Sequence, residues 1–70
     1  MNPAMTVLVN GQARTVPAGQ LLAELIAAHT SSRSGVAVAV NGEVVPRTAW
    51  PEYELEDGAA IEILTAVQGG

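Results

Sequence analysis

Residues 36–46 read Val36-Ala37-Val38-Ala39-Val40-Asn41-Gly42-Glu43-Val44-Val45-Pro46. Strict alternation over the first five predicts a strand with one bulky and one smooth face, because successive strand side chains point to opposite sides. Asn41-Gly42 then supplies the strongest short hairpin signal, since a type I′ turn needs positive φ at both central residues. Glu43 to Val45 predicts a short return strand. Pro46 ends it, having no amide hydrogen to give to a ladder.

The same pattern lies upstream. Thr-Val-Leu-Val at 6–9 reads as a strand, Asn10-Gly11 as its turn and residues 12–16 as the return, with Pro17-Ala18-Gly19 breaking the pairing. From Gln20 the period changes. Leu21, Leu22, Leu25, Ile26 and His29 fall on one helical stripe. A polar loop follows, holding Ser31, Ser32, Arg33, Ser34 and Gly35. Downstream of Pro46, residues 47–55 read as irregular, with Thr48 expected to cap a short turn containing Trp50 and Pro51 expected to stop it. Asp57-Gly58 marks a turn, and residues 60–65 form a last strand with Ile61 and Ile63 on one face. One amphipathic helix cannot bury its stripe alone. The expectation is therefore an α+β fold, one helix packed on a mixed four- to five-stranded sheet. It forms a single domain over 5–65, with a short extension at 1–4 and a tail at 66–70.

Composition removes most function classes. Seventy residues with 49% hydrophobic content suit one small core, burying about 60% of the unfolded surface. Without cysteine there is no disulfide framework, zinc finger, iron–sulfur cluster or thiol nucleophile. The three basic residues are all arginine, against seven acidic, for a net charge of −4. That balance lacks the electrostatic footprint of a nucleic-acid binder. No apolar run reaches the roughly 18–20 residues of a membrane span. The opening Met1 to Met5 has no basic region of a signal peptide, so a cytoplasmic setting is expected.

Candidate catalytic groups are sparse. His29, at the end of the stripe, reads as a partner of the helix C-terminal dipole rather than a base, since no cysteine or Ser/Asp pair completes a triad. Ser31, Ser32 and Ser34 read as a solvated loop. Glu52, Glu54 and Glu56 alternate, which puts three carboxylates on one side and reads as a solvated face rather than an acid/base or metal site. Trp50 and Tyr53, the only aromatics, read as closing one end of the core. Arg47 has two open uses, pairing with a glutamate or contacting a partner.

The sequence ends Ala66-Val67-Gln68-Gly69-Gly70, a few residues after a strand that reads as buried. Two residues without Cβ let an extended tail enter a narrow channel without steric rejection. The terminal carboxylate is then the reactive handle that such a tether presents.

Together these stretches resemble the ThiS family, the sulfur carrier proteins of thiamine biosynthesis, which have the ubiquitin-like β-grasp fold. The resemblance covers nearly the whole chain from Met5. It runs through VLVNGQ, VPAGQLLAELI, GVAVAVNGEVVPRTAW and LEDGAAIEIL to the ending TAVQGG. Its most specific parts are Val45-Pro46-Arg47-x-x-Trp50 and Ala-Val-Gln-Gly-Gly. Two positions depart from the family pattern: Gln20, where the helix start often has threonine or serine, and Ala59, where an acidic residue often follows the Asp-Gly turn.

The resemblance implies a carrier rather than a catalyst. In such a carrier a ThiF-like enzyme uses ATP and magnesium to adenylate the Gly70 carboxylate. A persulfide donor then supplies sulfur, and the resulting thiocarboxylate serves a ThiG-like thiazole synthase. Gly69, Gln68 and Val67 would thread the partners' active sites, and no cofactor is expected to bind the chain stably. The smooth Ala37/Ala39 face, opposite the helix, and Arg47 are the candidate partner surface. A MoaD-like carrier of molybdopterin synthesis has the same fold, but its chains tend to be longer and to end in Pro-Val-x-Gly-Gly. A carrier for another sulfur route, a ubiquitin-like modifier and a plain interaction module are the other readings.

Overall fold

Both Asn-Gly dipeptides turn as their sequence requires, with φ of 51° and 85° at Asn10 and Gly11 and of 52° and 86° at Asn41 and Gly42. Each joins two antiparallel strands in the computed structural model, which describes residues 3–30 and 35–65. The first hairpin is β1 (Ala4–Val9) and β2 (Gln12–Pro17), and the second is β3 (Val36–Val40) and β4 (Glu43–Val44). Between them lies the helix α1 (Leu22–His29); a 3-10 helix (Arg47–Glu52) and β5 (Ala60–Thr65) follow.

The five strands form one sheet in the order β2-β1-β5-β3-β4. The last strand therefore sits in the middle. It runs parallel to β1 and antiparallel to β3. The valine/alanine alternation of β3 holds: Val38 and Val40 are buried, while Ala37 is exposed and Ala39 is half-buried. Met5, Val7 and Val9 of β1 and Ile61 and Ile63 of β5 point to the same inner side, where Leu22, Leu25 and Ile26 of α1 meet them in one core cluster. Burying a side chain such as Leu22 or Ile61 stabilises the fold by about 1.5–3 kcal/mol. Trp50 joins that cluster, with its indole N–H donating to the Val45 carbonyl at 2.9 Å, and Tyr53 packs against it. The two aromatics thus take the core role expected of them.

Several boundaries move for physical reasons. β1 begins at Ala4, which pairs with Pro17, and the Ala18 N–H donates to the Pro3 carbonyl at 3.1 Å. Ala4 thus belongs to the sheet, not to an extension. Pro17 completes β2 because it lies on the outer strand, at its last position, where a missing donor costs little. The second return strand is shorter than expected, ending at Val44. Val45 turns inward and is buried, its N–H donating to the Val38 carbonyl at 2.9 Å.

The helix starts at Leu22 rather than Gln20. No side chain caps its first turn; instead the Leu22 N–H donates to the Tyr53 carbonyl at 2.8 Å, and Glu24 Oε1 accepts the Leu21 N–H at 3.0 Å. The weak cap at Gln20 is offset by this backbone tie, which the Leu55 N–H to Gln20 carbonyl bond of 2.9 Å extends. His29 is exposed rather than part of the buried stripe, because it is the last residue of the helix. The 3-10 helix also departs from expectation. Thr48 lies inside it without capping, Pro46 occupies the cap position, and Pro51 falls within it. A proline one residue from the end removes a single i to i+3 donor, so the helix survives it. The Tyr53 N–H closes the turn on the Trp50 carbonyl at 3.3 Å. Among the described residues, no helix is long and apolar enough to cross a membrane.

Candidate functional site: the outer sheet face and the strand that carries the tail

β5 is the strand from which residues 66–70 continue, and side chains from both turns hold it. On the β3 edge, the Asn41 N–H donates to the Ala60 carbonyl at 2.7 Å, and Asn41 Oδ1 accepts the Ala60 N–H at 3.0 Å. On the β1 edge, the Asn10 N–H donates to the Ile61 carbonyl at 2.9 Å. The Asn10 amide then takes one more peptide unit. Its Oδ1 accepts the Ile63 N–H at 2.8 Å, and its Nδ2 donates to the Ile63 carbonyl at 3.1 Å. At the start of the strand, Asp57 Oδ1 accepts the Thr6 N–H at 2.8 Å and the Gly58 N–H donates to the Thr6 carbonyl at 2.7 Å. Reading the Asn-Gly pairs as turns alone misses this second role. Nothing local signals it, because the Asn10 partner is 53 residues away.

The side of the sheet away from α1 carries the candidate docking surface. Register places Ala37 beside Leu64 and Ala39 beside both Glu62 and Val44. Leu8 lies beside Ala60 and Ala13. Ala37 and Ala39 therefore do lie on a smooth outer face, and large apolar groups stand accessible beside them, as small side chains there would leave them. Leu64 is 68% exposed, Val44 78% and Leu8 41%. The available signal was phase: Leu64 alternates with the buried Ile61 and Ile63. A shallow cleft of about 320 Å³ lies between the two turns, lined by Leu8, Gly11, Asn41, Gly42, Ala60 and Glu62 among others.

The other candidates are dispersed. The Arg47 guanidinium stands 5.4 Å from the centroid of the Trp50 ring, a cation–π distance. It belongs to the 3-10 helix, which packs on α1, rather than to the alanine face. Glu52, Glu54 and Glu56 are not one strand. Glu52 ends the 3-10 helix, Glu54 makes an isolated bridge with Leu21, and Glu56 opens the Asp57-Gly58 turn. All three are exposed, yet all line one cleft with Tyr53 and Asn41. Among the described residues no group of three or more acidic or histidine side chains is arranged to hold a metal ion. Ala59, where the family pattern often has an acidic residue, is buried, with 4% of its surface exposed, and lines that same cleft. Val67, Gln68, Gly69 and Gly70, and the loop residues Ser31, Ser32, Arg33 and Ser34, lie outside the described residues.

A mixed five-stranded sheet with a central parallel β1–β5 pair, crossed by one helix, defines a ubiquitin-like β-grasp domain. Comparison with known proteins narrows this. The ThiS family model matches residues 7–70. The sulfur carrier protein ThiS of Escherichia coli (strain K12) is 35% identical over 66 residues, which cover 94% of this chain and all of that protein. The crystal structure of the thiamine biosynthesis protein ThiS from Geobacter metallireducens superposes with a TM-score of 0.77 at 35% identity, over 94% of this chain and 100% of that one. A solution structure of a thiamine biosynthesis protein from the same organism gives 0.75 at 35% identity, over 94% and 88%. The chain belongs to the ThiS family, the sulfur carrier proteins of thiamine biosynthesis. This is the carrier family the sequence resembles, in preference to the MoaD-like alternative.

Proposed function

We propose that this protein carries sulfur on the carboxyl group of Gly70 for thiazole formation, acting in the cytoplasm as a co-substrate of other enzymes rather than as a catalyst. The observation that carries the reading is the family match, which extends through the terminal Gly-Gly. A carboxylate is a poor electrophile. In the proposed cycle a ThiF-like enzyme holding ATP and magnesium activates it. A Gly70 carboxylate oxygen attacks the α-phosphorus, pyrophosphate leaves, and an acyl-adenylate forms. The terminal sulfur of a persulfide donor attacks the carbonyl carbon and AMP departs. A second thiol then reduces the remaining S–S bond, freeing the thiocarboxylate. A ThiG-like synthase consumes that sulfur. Gly69, Gln68 and Val67 thread the active sites, and the face of Ala37 and Ala39 with Leu8, Leu64 and Val44 docks on the partner.

Intact mass measurement of the protein from its native cell, under thiamine starvation, tests the reading. One oxygen replaced by sulfur at Gly70 supports it. Covalent conjugates to other proteins would point to a modifier, and unmodified chain with the pathway active to a plain interaction module. Deleting Gly70 is expected to abolish ATP–pyrophosphate exchange by the adenylating enzyme without changing the unfolding midpoint. Normal exchange with the deletion variant would sink the carrier reading. Ala39→Glu, which places a charge on the smooth face, is expected to weaken affinity for that enzyme at least roughly tenfold, about 1.4 kcal/mol. Unchanged affinity of a folded variant would remove the face from the interface.

A further inference from the structure

The two edges of β5 are covered unequally. On the β3 edge, register pairs run along the strand from Val40 opposite Ile61 to Val36 opposite Thr65. On the β1 edge they stop after Leu8 opposite Ala60 and Val9 opposite Ile61. The Asn10 side chain then bonds the peptide groups of Ile63 in place of a next β1 residue. Beyond it the chain turns back through Gly11 into β2.

Strand geometry fixes which groups this leaves. Backbone N–H and C=O groups of alternate residues point to alternate edges. Ala60 bonds Asn41 on the β3 edge, whereas Ile61 and Ile63 bond Asn10 on the β1 edge. The peptide groups of Thr65 therefore face the β1 edge, one step past Asn10, where no strand among the described residues runs beside them. Among the described residues, a central strand thus becomes half an edge strand at Thr65. The outer edges of β2 and β4 are open as well among the described residues, but neither leads to the tail.

We propose that the Thr65 peptide groups form a strand-addition point, at which an extended segment of the adenylating enzyme pairs with the β1 edge of β5, in line with β1 and next to the Asn10 amide. Main-chain pairing suits this task, since it grips an extended chain without reading its side chains. Five residues separate Thr65 from the end of Gly70, a reach of at most roughly 18 Å. Pairing at Thr65 holds the near end of that span and fixes the direction in which it is presented. The inference rests on the carrier reading for its partner.

Comparing Thr65→Pro with Thr65→Ala in the full-length chain provides the test. Proline removes the Thr65 N–H, which no described strand of the ladder uses, and is tolerated at such positions; alanine removes only the side chain. Both variants are expected to keep the unfolding midpoint. Affinity for the cognate adenylating enzyme is expected to fall about tenfold or more for the proline variant and to stay within about twofold for alanine. Amide exchange supplies a second readout on the unaltered chain. The Thr65 amide is expected to slow at least tenfold when the chain is saturated with the enzyme, while the Leu64 amide, paired on the β3 edge, is slow in both states. Pyrophosphate exchange with the unaltered chain, together with equal affinities for the two variants or unchanged Thr65 exchange, overturns strand addition and leaves the carrier reading standing. Absence of pyrophosphate exchange with the unaltered chain overturns both.

Discussion

The two Asn-Gly turns share a dipeptide and a backbone geometry, with φ near 50° at asparagine and near 85° at glycine in each. They differ in what the asparagine side chain does. Asn41 uses Oδ1 on the Ala60 N–H, an exposed bond across 19 residues. Asn10 uses both ends of its amide on Ile63, in a half-buried place, across 53 residues. One turn clamps the start of β5 from the β3 side; the other completes the parallel ladder that β1 leaves short. Identical local chemistry has therefore been given two different long-range tasks, both directed at the strand that carries the tail.

Replacing each asparagine by glycine separates those tasks from the turn itself, because glycine accepts the positive φ. Asn10→Gly leaves the Ile63 N–H and carbonyl without their partner and is expected to lower stability by about 1–3 kcal/mol. Asn41→Gly loses one exposed bond, about 0.5–1 kcal/mol. Urea unfolding of both variants checks the difference, and equal losses would break the distinction between the turns. A smaller and sharper contrast comes from aspartate. Asn10→Asp loses the donor to the Ile63 carbonyl and sets a carboxylate against it, for an expected loss of about 1–2 kcal/mol at neutral pH. Asn41→Asp keeps the acceptor that the Ala60 N–H needs and is expected to stay within about 0.5 kcal/mol of the unaltered chain.

What the sequence made legible follows the same divide between local and distant causes. Asn-Gly demands positive φ wherever it occurs, so both hairpins could be placed by inspection. The valine/alanine alternation of β3 is a property of successive residues, so its two faces were readable too. The inner position of β5 depends on pairing with β1 across 52 residues and with β3 across 21 to 29, and no pattern within β5 encodes either. The helix start shows the same limit. Gln20 looked like a poor cap because the partners that hold this end, Tyr53 and Leu55, come from a distant segment. His29 fits the helical period and still lies exposed, since periodicity cannot say where the helix ends. The outer face was half legible: its alanines stood out by alternation, whereas Leu8, Leu64 and Val44 became part of it only through register. The Gly-Gly tail needed no structure to suggest a carrier, because its use depends on chemistry at a chain end rather than on packing.

The glycines of the two turns supply the last contrast, in which the regions should agree. Gly11 and Gly42 have φ of +85° and +86°, and a Cβ added at either would meet nothing within 4 Å. Neither site can then charge alanine for a clash, and only the left-handed backbone remains, about 1 kcal/mol in each case. Gly11→Ala and Gly42→Ala are expected to lower stability equally, within about 0.5 kcal/mol in urea unfolding. Such agreement would show that the turns are the same object at the backbone and diverge only in their asparagine side chains. A markedly larger loss for Gly11→Ala would mean instead that distortion of the first turn also disturbs the Asn10 contacts with Ile63, so that the turn and the lock on β5 form one cooperative unit.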